Sequence, residues 1–271
     1  MKIVFDKKCL EYKFEGHPES PERVEKIYKT LKENSYKFSK PKLISEKEIL
    51  EVHKREHLEN LKKKNYFDPD SPPIDFIFPL ISASAAVKAA EIRGFSICRP
   101  PGHHAGKNFL GGFCYLNNIV IAVKTLGLRT AILDLDAHHG NGAQDIFLGS
   151  KDILYVSLHE YPLYPGTGYE SEKNCINFSL PHYTSESSYL KVLSNALEII
   201  EEFKPEILAV SIGFDTYSKD PLTTLQLEKE SYVKIGKMIT SLNLPMFLVL
   251  EGGYSEEIGE LALNFLKGLE F

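Results

Sequence analysis

The stretch Asp134-Leu135-Asp136-Ala137-His138-His139-Gly140-Asn141-Gly142 places two carboxylates and an imidazole at alternating positions. It follows Thr130-Ala131-Ile132-Leu133, a short apolar, β-branched run that reads as a buried strand, and Gly140 and Gly142 then open a turn. On an extended chain alternate side chains share a face, so Asp134, Asp136 and His138 are expected to point one way and His139 the other. Oxygen and nitrogen donors converging at a strand's C-terminal end suit a divalent first-row metal such as zinc. A polar strand end capping the next helix would account for one Asp and one His. Three alternating groups before a glycine-rich turn fit metal binding better.

Other strand-like runs also end in groups able to do chemistry. Phe95-Ser96-Ile97-Cys98 leads into Arg99-Pro100-Pro101-Gly102-His103-His104, Ile207 to Ile212 ends in Gly213-Phe214-Asp215, and Pro245 to Leu250 ends in Glu251-Gly252-Gly253-Tyr254. Asp136, His138 and Asp215 supply two carboxylates and one imidazole and leave a coordination position open, as catalytic zinc sites do. Metal binding lowers the pKa of water, and a neutral histidine beside it can take the proton and return it to a leaving group. His103 and His104 provide two imidazoles, with Asp134 and Asn141 as candidate orienting partners. Tyr254 can donate its hydroxyl to an oxyanion, and Phe113 and Tyr164 can wall a narrow channel. Taken singly, Asp215 can be a helix N-cap, Gly252-Gly253-Tyr254 a capping turn, and the two histidines partners of buried carbonyls. Their joint placement at successive strand ends argues for a site.

The elements that must position these groups follow a repeating strand-then-helix pattern. Ile3-Val4-Phe5 reads as a first strand, and Ser20-Pro21 as an N-cap with proline at the first helical position. Arg23, near the start of that helix, reads from its surroundings as a surface cation. Ser45 to Glu48 is a capping box that opens a helical stretch including Ile49, Leu50 and Val52. His53 and His57 stand at helical spacing without a catalytic Glu between them, and read as ordinary helix residues. Lys62-Lys63-Lys64 reads as a solvated helix end, and Asp68 to Asp75 as a loop able to rim a pocket. Helices are expected over Ser82 to Glu91, Ile119 to Leu126 and Ser187 to Phe203, and further strands over Ile153 to His159 and Cys175 to Phe178. This alternation implies an α/β fold with a mostly parallel central sheet flanked by helices, and ligands of such sheets bind outside the carboxyl ends of the strands.

The bulk numbers set limits. At 271 residues the chain suits one α/β domain over residues 1–271 with ample apolar content for a core. A net charge of −5 with no long basic run argues against nucleic acid as a partner. No apolar run is long enough to cross a membrane, and the N-terminus lacks a signal peptide's apolar region. The four cysteines, Cys9, Cys98, Cys114 and Cys175, are scattered without framework spacing and read as reduced, mostly buried residues of a cytoplasmic protein. Abundant lysine, glutamate and isoleucine with no tryptophan fit a thermophile. There is no internal repeat, and oligomerisation is left open.

These motifs together resemble the histone deacetylase superfamily, which includes acetylpolyamine amidohydrolases and acetoin-utilisation proteins. The resemblance is carried by Arg99 to Ala105, Gly112-Phe113-Cys114-Tyr115-Leu116-Asn117-Asn118, Asp134 to Gly142, Tyr164 to Gly168, Gly213 to Asp215 and Glu251 to Tyr254, with His17 to Arg23 at its start. It implies the arginase/deacetylase fold and a hydrolase removing acetyl groups from amines. Asp136, His138 and Asp215 would bind Zn2+, with Fe2+ its alternative in the cell. His104 would be the general base, His103 an electrostatic or acid partner and Tyr254 the oxyanion donor, while the Gly112 carbonyl would receive the substrate amide. A structural potassium ion (K+) is implied near Asp134, Asp136, His138, Ser157 and Leu158, and Arg23 matches an arginine beneath the active site. Gly112, Phe113, Tyr164 and Leu222 would line the channel. Asn141 stands where class I members have aspartate, which is similar to the class II and bacterial branch. Leu222 stands where a polyamine-selective relative has glutamate, which weakens the polyamine reading.

Two rivals remain. A two-manganese ureohydrolase would want carboxylates where Gly140 and Gly213 stand, so its second metal lacks ligands. A non-catalytic binder of acetylated ligands would not need His103, His104 and Tyr254. The expected substrate is an acetylated protein lysine or a small acetylated amine.

Overall fold

The computed structural model describes residues 1–270. In chain order the elements are β1 (Ile3–Val4), α1 (Pro21–Glu33), β2 (Phe38–Ser39), α2 (Glu46–Leu50), α3 (Arg55–Lys63), α4 (Ile77–Ile92), β3 (Phe95–Ser96), α5 (Asn118–Leu126) and β4 (Thr130–Asp134). There follow α6 (Asn141–Phe147), β5 (Ile153–Glu160), β6 (Cys175–Leu180), α7 (Glu186–Phe203), β7 (Ile207–Ile212), α8 (Lys229–Thr240), β8 (Met246–Leu250) and α9 (Ile258–Leu269). The eight strands form one sheet in the order β2-β1-β3-β8-β7-β4-β5-β6, and every pairing between them is parallel.

Parallel strands covered on both faces read as continuous apolar runs. Here alternate residues of each run feed two different cores. Ala131 and Leu133 of β4, Val210 of β7 and Leu248 of β8 pack with α1, α7, α8 and α9, whereas Ile132, Ala209 and Phe247 pack with α2, α3, α5 and α6. Helix α4 is apolar on nearly all sides and contributes to both cores, Ala85 and Ala89 to one and Ala83 and Ala86 to the other. Helices α8 and α9 approach closely enough that a Cβ on Gly236 would lie 2.6 Å from the Phe265 carbonyl oxygen.

The sequence expectations hold for the main elements and miss in places. Ser20 is the N-cap of α1 with proline following, and Ser45 and Glu48 form the capping box of α2. That helix ends at Leu50, so Val52 and His53 lie in the turn before α3 and His53 shares no helix with His57. The two-residue edge strand β2 carries no apolar run and left no signal. All four cysteines are buried and unpaired. No helix among the described residues is long and apolar enough to cross a membrane.

Candidate active site

Strand β4 stops at Asp134, earlier than an extended reading through His138 requires. Leu135 still donates to the Ser211 carbonyl of β7 at 2.9 Å, but the chain then turns. Asp134 Oδ1 accepts from the backbone N–H of Asp136 at 3.2 Å, and Asp136 Oδ1 from that of His138 at 2.9 Å. Short aspartate side chains bond the backbone two residues on and bend it. The expected convergence therefore arises from two successive turns rather than from strand alternation. His139 points away, to Thr167 Oγ1 at 2.8 Å and Gln144 Oε1 at 2.9 Å.

Asp215, just past the end of β7, meets this turn. Its Oδ1 accepts from the Ala137 N–H at 2.9 Å, and its Oδ2 lies 2.9 Å from His138 Nδ1, which is also 3.1 Å from Asp136 Oδ1. One ligand atom from each of Asp136, His138 and Asp215 lies within 4.8 Å of the others. The glycines around them leave the space open: a Cβ on Gly213 would stand 2.3 Å from Asp136 Oδ2, and one on Gly252 2.6 Å from carboxylate oxygens of both Asp136 and Asp215. Burial and the facing Asp136 carboxylate push Asp215 up to about 7. Burial would lower His138, but its bonds to Asp136 and Asp215 carry it up to about 10. Two carboxylates and an imidazole this close together are candidate ligands for a divalent cation, and the donor set fits one.

The His103-His104 turn lies beside this triad, its ring centroids 4.0 Å apart. His103 Nδ1 is 3.1 Å from Asp134 Oδ2, which also accepts from the Tyr155 hydroxyl at 2.9 Å. His104 Nδ1 is 2.8 Å from Asn141 Oδ1. The two expected orienting partners are thus in contact with the two imidazoles. Their surroundings push their charge states in opposite directions. Burial would lower His103, but Asp134 and Asp136 raise it to about 10, so it is imidazolium at neutral pH. Burial, followed by the nearby His103 and His138, holds His104 well below the usual imidazole range, so it is neutral.

Tyr254 closes the other side. Its ring stands edge-on to Phe113 with centroids 5.8 Å apart, and the Arg23 guanidinium lies 4.6 Å from its centroid. Burial raises its hydroxyl well above the usual phenol range, which keeps it a donor. Gly112 has φ +53°, and a Cβ there would lie 2.5 Å from His104 Cδ2 and 2.7 Å from Tyr164 Cε1. The resulting cavity of about 230 Å³ is lined by His103, His104, Gly112, Phe113, Asp136, His138, Tyr164, Leu222 and Tyr254, and also by Asp70, Pro101, Leu163 and Gly252. Asp215 does not line it but is fully buried against His138. Asp134 and Ser157 are register partners across β4 and β5, with Leu158 next to them.

Several site residues went unnoticed or were misjudged. Arg23 is buried rather than on the surface: Nη1 reaches Glu19 Oε1 at 3.1 Å, Nη2 the Glu251 carbonyl at 2.7 Å and Nε the Gly253 carbonyl at 2.5 Å. Only the resemblance placed it there, since its local sequence looks like any helix start. Arg99 is buried against Glu19 with Nη2 to Oε2 at 2.6 Å. Asp220 accepts the Tyr254 N–H at 2.6 Å and the Leu222 N–H at 3.0 Å, and its place before a proline in a loop gave no sign of this.

Residues 79–269 match the histone deacetylase domain. A probable deacetylase of Archaeoglobus fulgidus is 36% identical over 94% of this chain and 81% of its own length. Acetylpolyamine amidohydrolase 1 of Pseudomonas aeruginosa is 37% identical over 75% of this chain and 66% of its own length. The crystal structure of the HDA15 HD domain superposes with a TM-score of 0.92 at 29% identity, covering 99% of this chain and 87% of that one. With two carboxylates, an imidazole and a histidine pair at the carboxyl edge of a parallel sheet, and with these matches along nearly its whole length, the chain belongs to the histone deacetylase family.

Proposed function

We propose that the chain is a metal-dependent amidohydrolase that releases acetate from acetylated amines. The observation that supports this most is that one cavity is lined by His104, whose imidazole is held neutral, by Tyr254, whose phenol is held protonated, and by Asp136 and His138, the latter bonded to Asp215. A bound divalent ion, zinc or iron(II) by the donor set, supplies Lewis acidity and lowers the pKa of water. The family's potassium ion is proposed beside the Asp134–Ser157 pair, near Asp136, His138 and Leu158.

The protein's own groups account for the proton movements. Asn141 Oδ1 accepts from His104 Nδ1, which leaves the Nε2 lone pair to take a proton from the attacking water. The same nitrogen returns it to the departing amine. His103, held as imidazolium by Asp134 and Asp136, stabilises negative charge that develops nearby. The Tyr254 hydroxyl donates to the oxyanion as the carbonyl becomes tetrahedral, and the Gly112 carbonyl accepts the substrate amide N–H. Phe113 and Tyr164 flank the acyl-amine stem.

Small acetylated amines are the favoured substrates. Asp70, an exposed residue, lines the cavity, and a carboxylate there suits a cationic tail. The Pseudomonas relative, an acetylpolyamine amidohydrolase by name, points the same way. Acetyl-lysine in proteins is the second reading, supported by the aliphatic Leu222 at the rim. Purified, metal-reconstituted protein should release acetate from an N-acetylated diamine faster than from an acetyl-lysine peptide, and should contain one divalent ion per chain. Tyr254→Phe should lower kcat about 100-fold or more with KM and metal content held. The proposal is overturned if neither substrate yields acetate, and its site assignment if the Phe variant keeps activity within a few-fold.

A further inference from the structure

We infer that Glu251 is a positioning residue that locks the His103-His104 turn to the Tyr254 turn, so that base and oxyanion donor keep their spacing across the cavity. The inference rests on the amidohydrolase reading above. Its starting point is a gap in the backbone. Strands β3 and β8 pair only at Phe95–Leu248 and Ser96–Val249. Beyond these residues no ladder joins the segment that leads to His103 to the one that leads to Tyr254.

The Glu251 side chain fills that gap. It is 1% exposed, and its Oε2 accepts from the backbone N–H of Gly102 at 2.7 Å and of His103 at 3.1 Å. Its Oε1 accepts from Ser211 Oγ of β7 at 3.0 Å, which fixes the carboxylate's rotation. The backbone of Glu251 is held independently, its N–H by the Ile212 carbonyl at 2.9 Å and its carbonyl by Arg23 Nη2 at 2.7 Å. One residue thus grips the base-bearing turn by its side chain and the phenol-bearing turn by its main chain. Other bonds to the histidine turn come from elsewhere: Ala143 donates to the His103 carbonyl at 3.0 Å, and Asn117 Nδ2 to the Ala105 carbonyl at 2.8 Å. Neither reaches the Tyr254 side. Glu251 does not itself line the cavity, and its carboxylate bonds none of Asp136, His138 and Asp215.

The decisive comparison sets Glu251→Leu, which fills the space but accepts nothing, against Glu251→Gln, which keeps one acceptor oxygen. In metal-loaded protein Glu251→Leu should lose about 30- to 100-fold in kcat with KM within about twofold, as expected when reacting groups are misplaced by a fraction of an ångström to an ångström. Glu251→Gln should stay within about fivefold of wild type, because it can still accept from the turn. Ser211→Ala should cost about threefold alone and nothing further in the Leu background, since it acts only through Glu251. Amide hydrogen exchange gives a readout apart from turnover: Gly102 and His103 should lose protection in the Leu variant and keep it in Gln, with the amides of β7 unchanged. Full kcat in a folded Leu variant, a Gln variant as impaired as Leu, or unchanged protection at Gly102 and His103 would each overturn the inference. If Leu does not fold, the Gln rate and the Ser211→Ala split between kcat and KM decide. Wild-type protein inactive on every acetylated amine would remove the amidohydrolase reading, while the exchange data would still judge the clamp.

Discussion

His53 and His57 stack with ring centroids 4.8 Å apart, and His103 and His104 sit with theirs 4.0 Å apart, yet the two pairs meet opposite surroundings. The first pair is bound to backbone. His53 Nδ1 donates to the Gly106 carbonyl at 2.9 Å, its Nε2 accepts the Asn117 N–H at 2.9 Å, and His57 Nε2 donates to the Tyr115 carbonyl at 2.8 Å. No carboxylate faces it, so burial and then His57 push His53 down to about 3. The second pair is bound to side chains that differ in charge, Asp134 for one and Asn141 for the other, and one imidazole is raised while its neighbour is lowered. Burial alone makes a histidine inert. The Asp134 and Asp136 carboxylates raise His103 against its burial, whereas burial and the neighbouring His103 and His138 lower His104. The first pair also serves the second, since Gly106 and Asn117 belong to the loops that carry it.

The comparison breaks most plainly at His104. His104→Ala should lower kcat by about a thousandfold, near 4 kcal/mol, while thermal stability and metal content stay close to wild type. A loss below tenfold would place the base elsewhere. His53→Ala should do the reverse. Removing a buried ring and leaving the Gly106 carbonyl and Asn117 N–H without partners should cost about 3 kcal/mol of stability in denaturant titration, with the folded enzyme's kcat within about threefold. If His53→Ala instead abolishes turnover in a stable protein, the division between the pairs is wrong.

Acidification sharpens the contrast. The unfolded chain binds a proton at His53 near pH 6.5, whereas the folded chain does so only near pH 3. The folded-state pKa is depressed, so this stabilisation is present above about 6.5 and is lost as pH falls from 6.5 toward 3, at about 1.4 kcal/mol per pH unit. His53→Ala should therefore flatten the stability profile in that window by about one proton. An unchanged slope would mean that His53 is protonated in the fold. The smallest effect is expected at Asn141. A carboxylate against His104 favours imidazolium, so Asn141→Asp should move the acidic limb of kcat/KM upward by about one pH unit with the fold intact. An unmoved limb would show that Asn141 does not govern the base.

How much of this was legible follows the distance over which the information travels. The runs at Thr130 to Leu133, Ile207 to Ile212 and Pro245 to Leu250 read as strands because their neighbours alone determine the pattern, and each terminal polar group then falls where parallel sheets place ligands. Arg23 read as a surface cation for want of its partners at Glu251 and Gly253, which are more than 200 residues away in the chain. His53 read as an ordinary helix residue because helical spacing to His57 is visible, whereas the turn that separates them is not.

By itself the sequence determined the chemistry: the donor types at Asp136, His138 and Asp215, the paired imidazoles, the phenol after two glycines and the parallel α/β frame. Those are properties of residue type and short-range spacing. Only the tertiary structure decided that Asp134 faces His103 while Asn141 faces His104, that Asp220 holds Tyr254 and that Glu251 bonds the turn at Gly102. The physical reason is that charge state and orientation inside a protein are set by burial and by the few groups within hydrogen-bonding reach, and the chain must close on itself before those groups meet.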